Sequence, residues 1–197
     1  MILNQGFDHH GLIIMALTWG FDSLDAYVSR GNARYNLKDY QGAISDYDKA
    51  LKIDPNNADA YINRGLARSE LKDYQGAISD YDKALKIDPN YAIAYYNLGV
   101  VRSELKDYQG AISDYDKALK INPNYAEAYD NRGVARGKLK DYQGAISDFD
   151  KALKINPNYA DIYYNRGNAR GNLKDYQGAI SDYDKALKID PNYAIAY

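Results

Sequence analysis

From residue 40 the chain alternates apolar and polar positions with the period of a helix. Tyr40, Ala43, Ile44, Tyr47, Ala50 and Leu51 fall at i, i+3, i+4, i+7 spacing and mark one buried stripe. Asp39 stands just before the stripe, where a carboxylate caps free backbone N–H groups and suits the positive end of the helix dipole. Pro55 ends the helix, and Pro-Asn-Asn, or Pro-Asn-Tyr further on, turns the chain. A second helical segment precedes this one, from about Asp25 to Leu37, with Tyr27, Gly31 and Ala33 expected to face its partner. Gly31 has no side chain, so a neighbouring helix can approach closely there. Lys38-Asp39 is a connection so short that the two helices must run antiparallel, as a hairpin.

The hairpin is repeated. The string Leu-Lys-Asp-Tyr-Gln-Gly-Ala-Ile-Ser-Asp-Tyr-Asp-Lys-Ala-Leu-Lys-Ile begins at Leu37, Leu71, Leu105, Leu139 and Leu173, each 34 residues after the last, and Phe149 for tyrosine is its only internal change. The register divides the chain into a preamble (1–23) and five copies (24–57, 58–91, 92–125, 126–159 and 160–193), with 194–197 as the start of a sixth. A lone hairpin of this size buries too little apolar area to offset its chain entropy. Stacked hairpins cover one another, and at about 25 cal/mol per Å² each added interface contributes several kcal/mol gross. The expected architecture is all-α: a right-handed solenoid of stacked antiparallel helix hairpins, with a concave and a convex side.

Composition narrows the function. Of 197 residues, 46% are apolar and 26% charged, as in a folded chain, and the formal net charge of −2 argues against a protein built to hold nucleic acid or an anionic membrane. There is no cysteine, and the two histidines are the adjacent His9 and His10, with no third ligand near them, so neither a metal nor another cofactor is expected. Ser45, Ser79, Ser113, Ser147 and Ser181 have no base within reach, and an enzyme is not expected. Gly11 to Leu17 is too short to span a bilayer and lacks the cationic lead-in of a signal peptide, which points to a cytoplasmic protein with no membrane insertion. Leu12 to Phe21 is expected to cap the first hairpin or to belong to an upstream region. No polar terminal helix covers the last apolar face in this sequence, so either the array continues beyond it or its open end associates end to end with another molecule.

A 34-residue helix hairpin with Tyr61, Gly65, Ala77, Tyr81, Ala84 and Pro89 at these spacings resembles the tetratricopeptide repeat, in all five copies. Asn63-Arg64-Gly65 and the run Asp73 to Ile78 are similar to a flavour frequent in bacterial arrays. Two departures stand out. Lys38, Lys72, Lys106, Lys140 and Lys174 occupy a turn where the family usually has glycine, at a cost of about 1 kcal/mol each where the backbone is left-handed. Arg30, Arg64, Arg132 and Arg166, with Arg34, Arg68, Arg102, Arg136 and Arg170, replace common apolar residues of the first helix. A half-buried guanidinium needs a carboxylate, and Asp46, Asp80, Asp114, Asp148 and Asp182 recur at the same period, so an Arg–Asp ladder between successive hairpins would satisfy both. Arginine interleaved with tyrosine could also stack on a nucleic acid strand, a use the acidic balance opposes.

The resemblance implies a concave groove lined by the second, fifth, ninth, twelfth and thirteenth places of each copy. Here those are Asp25, Val28, Asn32, Tyr35 and Asn36, then Asp59, Ile62, Leu66, Ser69 and Glu70. Ile93, Tyr96, Val100, Ser103 and Glu104 follow, then Glu127, Asp130, Val134, Gly137 and Lys138, and last Asp161, Tyr164, Asn168, Gly171 and Asn172. Ile62, Leu66, Ile93, Tyr96, Val100 and Val134 make an apolar middle with acids around it, suited to a peptide with apolar anchors and some basic character. The sixth place reads Ser29, Asn63, Asn97, Asn131 and Asn165, a row of amides able to hold a bound backbone. In the family's chaperone-binding members, cations and asparagines clamp a C-terminal carboxylate. Val28, Ile93 and Asn97 stand where the cations would, so no such clamp is expected. The implied function is a non-enzymatic scaffold that binds a protein or peptide segment in the groove, with a self-assembling array joined through its ends as the alternative.

Overall fold

The computed structural model describes residues 23–191. The preamble before Ser23, with His9, His10 and the expected cap from Leu12 to Phe21, lies outside the described residues, as do residues 192–197 with the expected start of a sixth copy. Among the described residues the secondary structure is ten helices in five pairs. The pairs are α1 (Leu24–Asn36) with α2 (Tyr40–Ile53), α3 (Ala58–Glu70) with α4 (Tyr74–Ile87), and α5 (Ala92–Glu104) with α6 (Tyr108–Ile121). They continue as α7 (Ala126–Lys138) with α8 (Tyr142–Ile155) and α9 (Ala160–Asn172) with α10 (Tyr176–Ile189). None of these helices is long and apolar enough to cross a membrane.

Each hairpin turn is built by local chemistry. Lys38 N–H donates to the Tyr35 carbonyl at 2.8 Å and Asp39 N–H to the Arg34 carbonyl at 2.9 Å, the paired bonds that close a helix through a left-handed residue. Lys38 is that residue, at φ 62°, and Lys72, Lys106, Lys140 and Lys174 repeat it, so the strain expected of a side chain in this region is present five times. Asp39 then caps the next helix, its carboxylate accepting from Gly42 N–H at 3.0 Å. One aspartate therefore closes α1 and opens α2.

Packing within a hairpin depends on the glycine in the first helix. A Cβ on Gly65 would lie 2.5 Å from the Tyr81 ring, which is 1% exposed. Only glycine lets that ring lie flat on the neighbouring backbone. Between hairpins, Ala67 joins Ala43 and Tyr47 of the preceding copy, and Leu98 and Val101 join Tyr81 and Ala84. This corrects the expected role of Ala33. That place packs on the preceding hairpin and not on its own partner helix, so Ala33 is exposed in the first copy while Ala67 is fully buried.

The arginines pair differently from a simple ladder between hairpins. Asp46 is fully buried and takes Arg30 in a two-pronged bond (2.8 and 2.6 Å) and Arg34 Nη1 at 2.8 Å, all inside one hairpin. Asp80, Asp148 and Asp182 do the same with the arginines of their own copies. The link between copies runs to a second aspartate two residues on: Arg64 reaches Asp48, Arg132 reaches Asp116, and Arg166 reaches Asp150. Tyrosine rings cover the same guanidiniums, as Tyr61 does Arg64 at 5.4 Å.

The third copy breaks the rule. Leu98 stands where the others have arginine, so Asp114 keeps only Arg102 and Lys117, and burial pushes its carboxyl above the usual range despite those two cations.

Candidate functional site

First helices of successive hairpins touch one another, α1 with α3, α3 with α5, α5 with α7 and α7 with α9, whereas successive second helices make no comparable contact. A stack that is tighter on one side curves toward it. The first helices therefore line the inner, concave side, and their outward places face a shared hollow.

The expected lining residues are not equally available. Ile62 is 3% exposed and belongs to the core with Tyr81, Ala84 and Leu98, so it is a packing residue and not an open surface for a ligand. Leu66, Val100 and Val134 are half-buried, while Ile93, Glu104 and Lys138 are exposed. Asp59 is exposed and accepts the Tyr91 hydroxyl, and Glu70 lies 3.4 Å from the Tyr35 hydroxyl. Tyr96 is half-buried, its ring against Tyr115 and Tyr125, and Tyr164 stacks obliquely on Tyr183 at 5.9 Å. Second helices also contribute, which the first-helix pattern did not disclose. The Tyr47 hydroxyl donates to Asn32 Oδ1 at 2.7 Å and the Tyr183 hydroxyl to Asn168 Oδ1 at 2.8 Å, and Tyr115 meets Ser103 at 3.4 Å. Burial pushes the Tyr47 phenol up to about 12, so it stays a neutral donor. The signal was present in the repeated string, which has tyrosine at this place in four of the five copies.

The amide row follows a rule set by register. Asn63 donates to Asn32 Oδ1 at 3.2 Å, 31 residues back, and Asn131 donates to the Tyr96 hydroxyl at 2.9 Å, 35 residues back. Asn165 lies against the carboxylate of Asp130, also 35 residues back. From Asn97 the same two offsets reach Leu66 and Ile62, both apolar. Asn97 is 6% exposed, and its Nδ2 has no hydrogen-bond partner among the described residues. A buried amide without a partner costs roughly 1–3 kcal/mol, a debt a ligand acceptor would cancel.

Asp130 Oδ1 is the other buried side-chain atom without a partner among the described residues. Burial raises its carboxyl, the nearby Asp161 and Glu127 raise it further, and Asn165 partly offsets them, leaving it pushed up to about 6. No group of three or more His, Cys, Asp or Glu side chains among the described residues is arranged to hold a metal.

Models of the tetratricopeptide repeat match residues 92–125 and 160–193, and a second one, 114–147. A further model described as a TPR repeat matches 31–72, 68–106 and 138–174, together more than half the chain. No curated protein matches. Among solved structures, a MamA protein is 28% identical over 87% of this chain and 93% of its own, with a TM-score of 0.76. YrrB, described as a TPR protein with an unusual peptide-binding site, is 26% identical over 93% of this chain and 94% of its own, with a TM-score of 0.74. PilF of Pseudomonas aeruginosa is 25% identical over 84% of this chain and 75% of its own, with a TM-score of 0.78.

Proposed function

The chain belongs to the tetratricopeptide repeat family and is a protein-interaction scaffold, and from that premise we propose that it binds a peptide segment of a partner protein along the concave face of its first helices. The observation that carries this reading is Asn97, a buried donor on that face whose register partners are Ile62 and Leu66. The half-buried Leu66, Tyr96 and Val100 beside it offer apolar surface, and once its buried amide turns into the hollow it can donate to a backbone carbonyl of a bound segment. YrrB, similar over nearly the whole chain, lends support as a peptide-binding protein.

Random peptides displayed on phage and selected on the full chain provide the test. Asn97→Leu removes the donor where the register neighbours are apolar, so it should keep the helical spectrum and hold or raise Tm. Selected peptides should bind it about tenfold more weakly, the worth of one hydrogen bond in a dry site. Unchanged affinity for Asn97→Leu, with loss on Gln109→Ala on the exposed face of α6, would refute the reading.

A second reading concerns the ends. On α10, Tyr176 is 63% and Ile180 53% exposed, whereas Tyr40 and Ile44 at the same places of α2 are half-buried in a cluster with Ala67 of the next hairpin. In a head-to-tail pair, Ala33 of a second copy would take the place on Ala179 and Tyr183 that Ala67 takes on Ala43 and Tyr47. We therefore also propose head-to-tail association, which adds mass with concentration in sedimentation and is abolished by Ile180→Asp. A strictly monomeric boundary at high concentration would eliminate it.

A further inference from the structure

Resting on the groove reading, we infer that the fourth copy holds the specificity site of the groove: a socket formed by Val134, Gly137, Ala145 and Phe149 takes an apolar side chain of the bound segment, and Asp130 beside it takes an adjacent arginine or lysine.

Three features coincide there, of which Phe149 is found in no other copy. In the first, third and fifth copies, the second-helix tyrosine carries its hydroxyl to a polar partner on the first helix: Asn32, Ser103 and Asn168. In the fourth copy the ring is Phe149, the ninth place is Val134 and the twelfth is Gly137, so hydroxyl, acceptor and side chain are all missing together. These residues line an open pocket of about 240 Å³, together with Ala145, Tyr142 and the polar Lys138, Asn165 and Asn168. An apolar cavity of about 150 Å³ accepts benzene, so this one has room for a leucine or phenylalanine side chain. A Cβ at Gly137 would meet nothing within 4 Å, so the opening is not filled by a neighbour. The cavity between the first two hairpins differs, because its Tyr47, Asn32 and Asn63 are bonded to one another.

Charge decides the second half of the ligand. Asn165 both lines the socket and lies against Asp130, so the two features adjoin. Asp130 is a carboxylate with one oxygen unpartnered, and Glu127 and Asp161 add negative potential around it. Lys138, the cation at the socket, is an exposed side chain at the end of α7. A guanidinium or ammonium next to the anchor would pair with this carboxylate and offset the repulsion from the neighbouring acids.

The same displayed random-peptide library, selected on the full chain, reads out both halves. Wild type should enrich peptides with a large apolar residue next to arginine or lysine. Gly137→Leu should erase the apolar preference and weaken those peptides about tenfold, the loss of one buried aliphatic side chain, while keeping the basic preference. Asp130→Asn should do the reverse, binding an arginine peptide and its glutamine analogue alike. Phe149→Tyr, which installs the residue of the other four copies and so preserves the fold, should weaken the apolar anchor without touching the basic one. Peptides that lose affinity on Asn97→Leu yet ignore all three changes would overturn this inference and leave the groove reading standing. A library that yields no binder, with helicity intact, would overturn both.

Discussion

Asp80→Ala is expected to lower the stability of the array by about 3–5 kcal/mol, the cost of stranding a buried cation. Asp80 is fully buried and receives Arg64 at 2.9 and 2.6 Å and Arg68 at 2.7 Å. Removing the carboxylate leaves the buried Arg64 guanidinium with the link to Asp48 and the Tyr61 ring alone. The third copy is an internal control. Leu98 has already replaced that guanidinium, and Asp114 sits raised by burial with Arg102 and Lys117 as its cations, so Asp114→Ala should cost markedly less. Urea unfolding followed by helicity measures both. Equal losses at Asp80 and Asp114 would mean that the carboxylate acts through packing alone. The comparison also separates two ideas often merged: a buried ion pair is costly to break, yet an apolar residue in place of one partner is tolerated, as Leu98 is.

Asp130→Asn should go the other way and stabilise the protein by about 2–3 kcal/mol at pH 7.5, an order-of-magnitude figure that follows from a carboxyl raised from 3.8 to about 6. A raised carboxyl means that the folded state holds its proton more tightly than the unfolded chain does. Wild type therefore loses stability as pH climbs from about 4 through 6, and the amide, which does not titrate, is spared that loss. The advantage of Asp130→Asn should shrink as pH falls through the same window and vanish near pH 4. Thermal melts of both proteins across this range test it, and a gain independent of pH would show that desolvated charge is not its source. A residue that weakens its own fold is what a binding site requires when the ligand supplies the missing partner.

Much of this molecule could be read from residues within one copy. The stripe from Tyr40 to Leu51, the Asp39 cap and Pro55 all act over four or five residues, and the structure places α2 at Tyr40–Ile53 accordingly. The lysine turns were legible for the same reason: Lys38 must adopt a left-handed conformation if the helix is to close and the chain reverse at once. The candidate site was legible only as a set of places. Register put Ile62 and Leu66 in one class, but Ile62 joined the core and Leu66 stayed half-buried. Arginine and aspartate were recognised as partners, but the pairing turned out to lie chiefly within hairpins, with Asp48, Asp116 and Asp150 as the links between them.

By itself, then, the sequence determined the hairpin, its period, its caps and its family, because these depend on side chains reaching their own or adjacent turns of backbone. Only the tertiary structure decided that Asn97 lacks an acceptor, that Asp130 keeps a buried oxygen without a partner and that a pocket opens beside Phe149 and Gly137. Those outcomes depend on contacts between helices, at separations of 12 to 35 residues, both within a hairpin and between neighbouring copies that differ by a few side chains. Near-identical repeats make every interface similar, and the places where two departures face each other are where the interfaces acquire different chemistry.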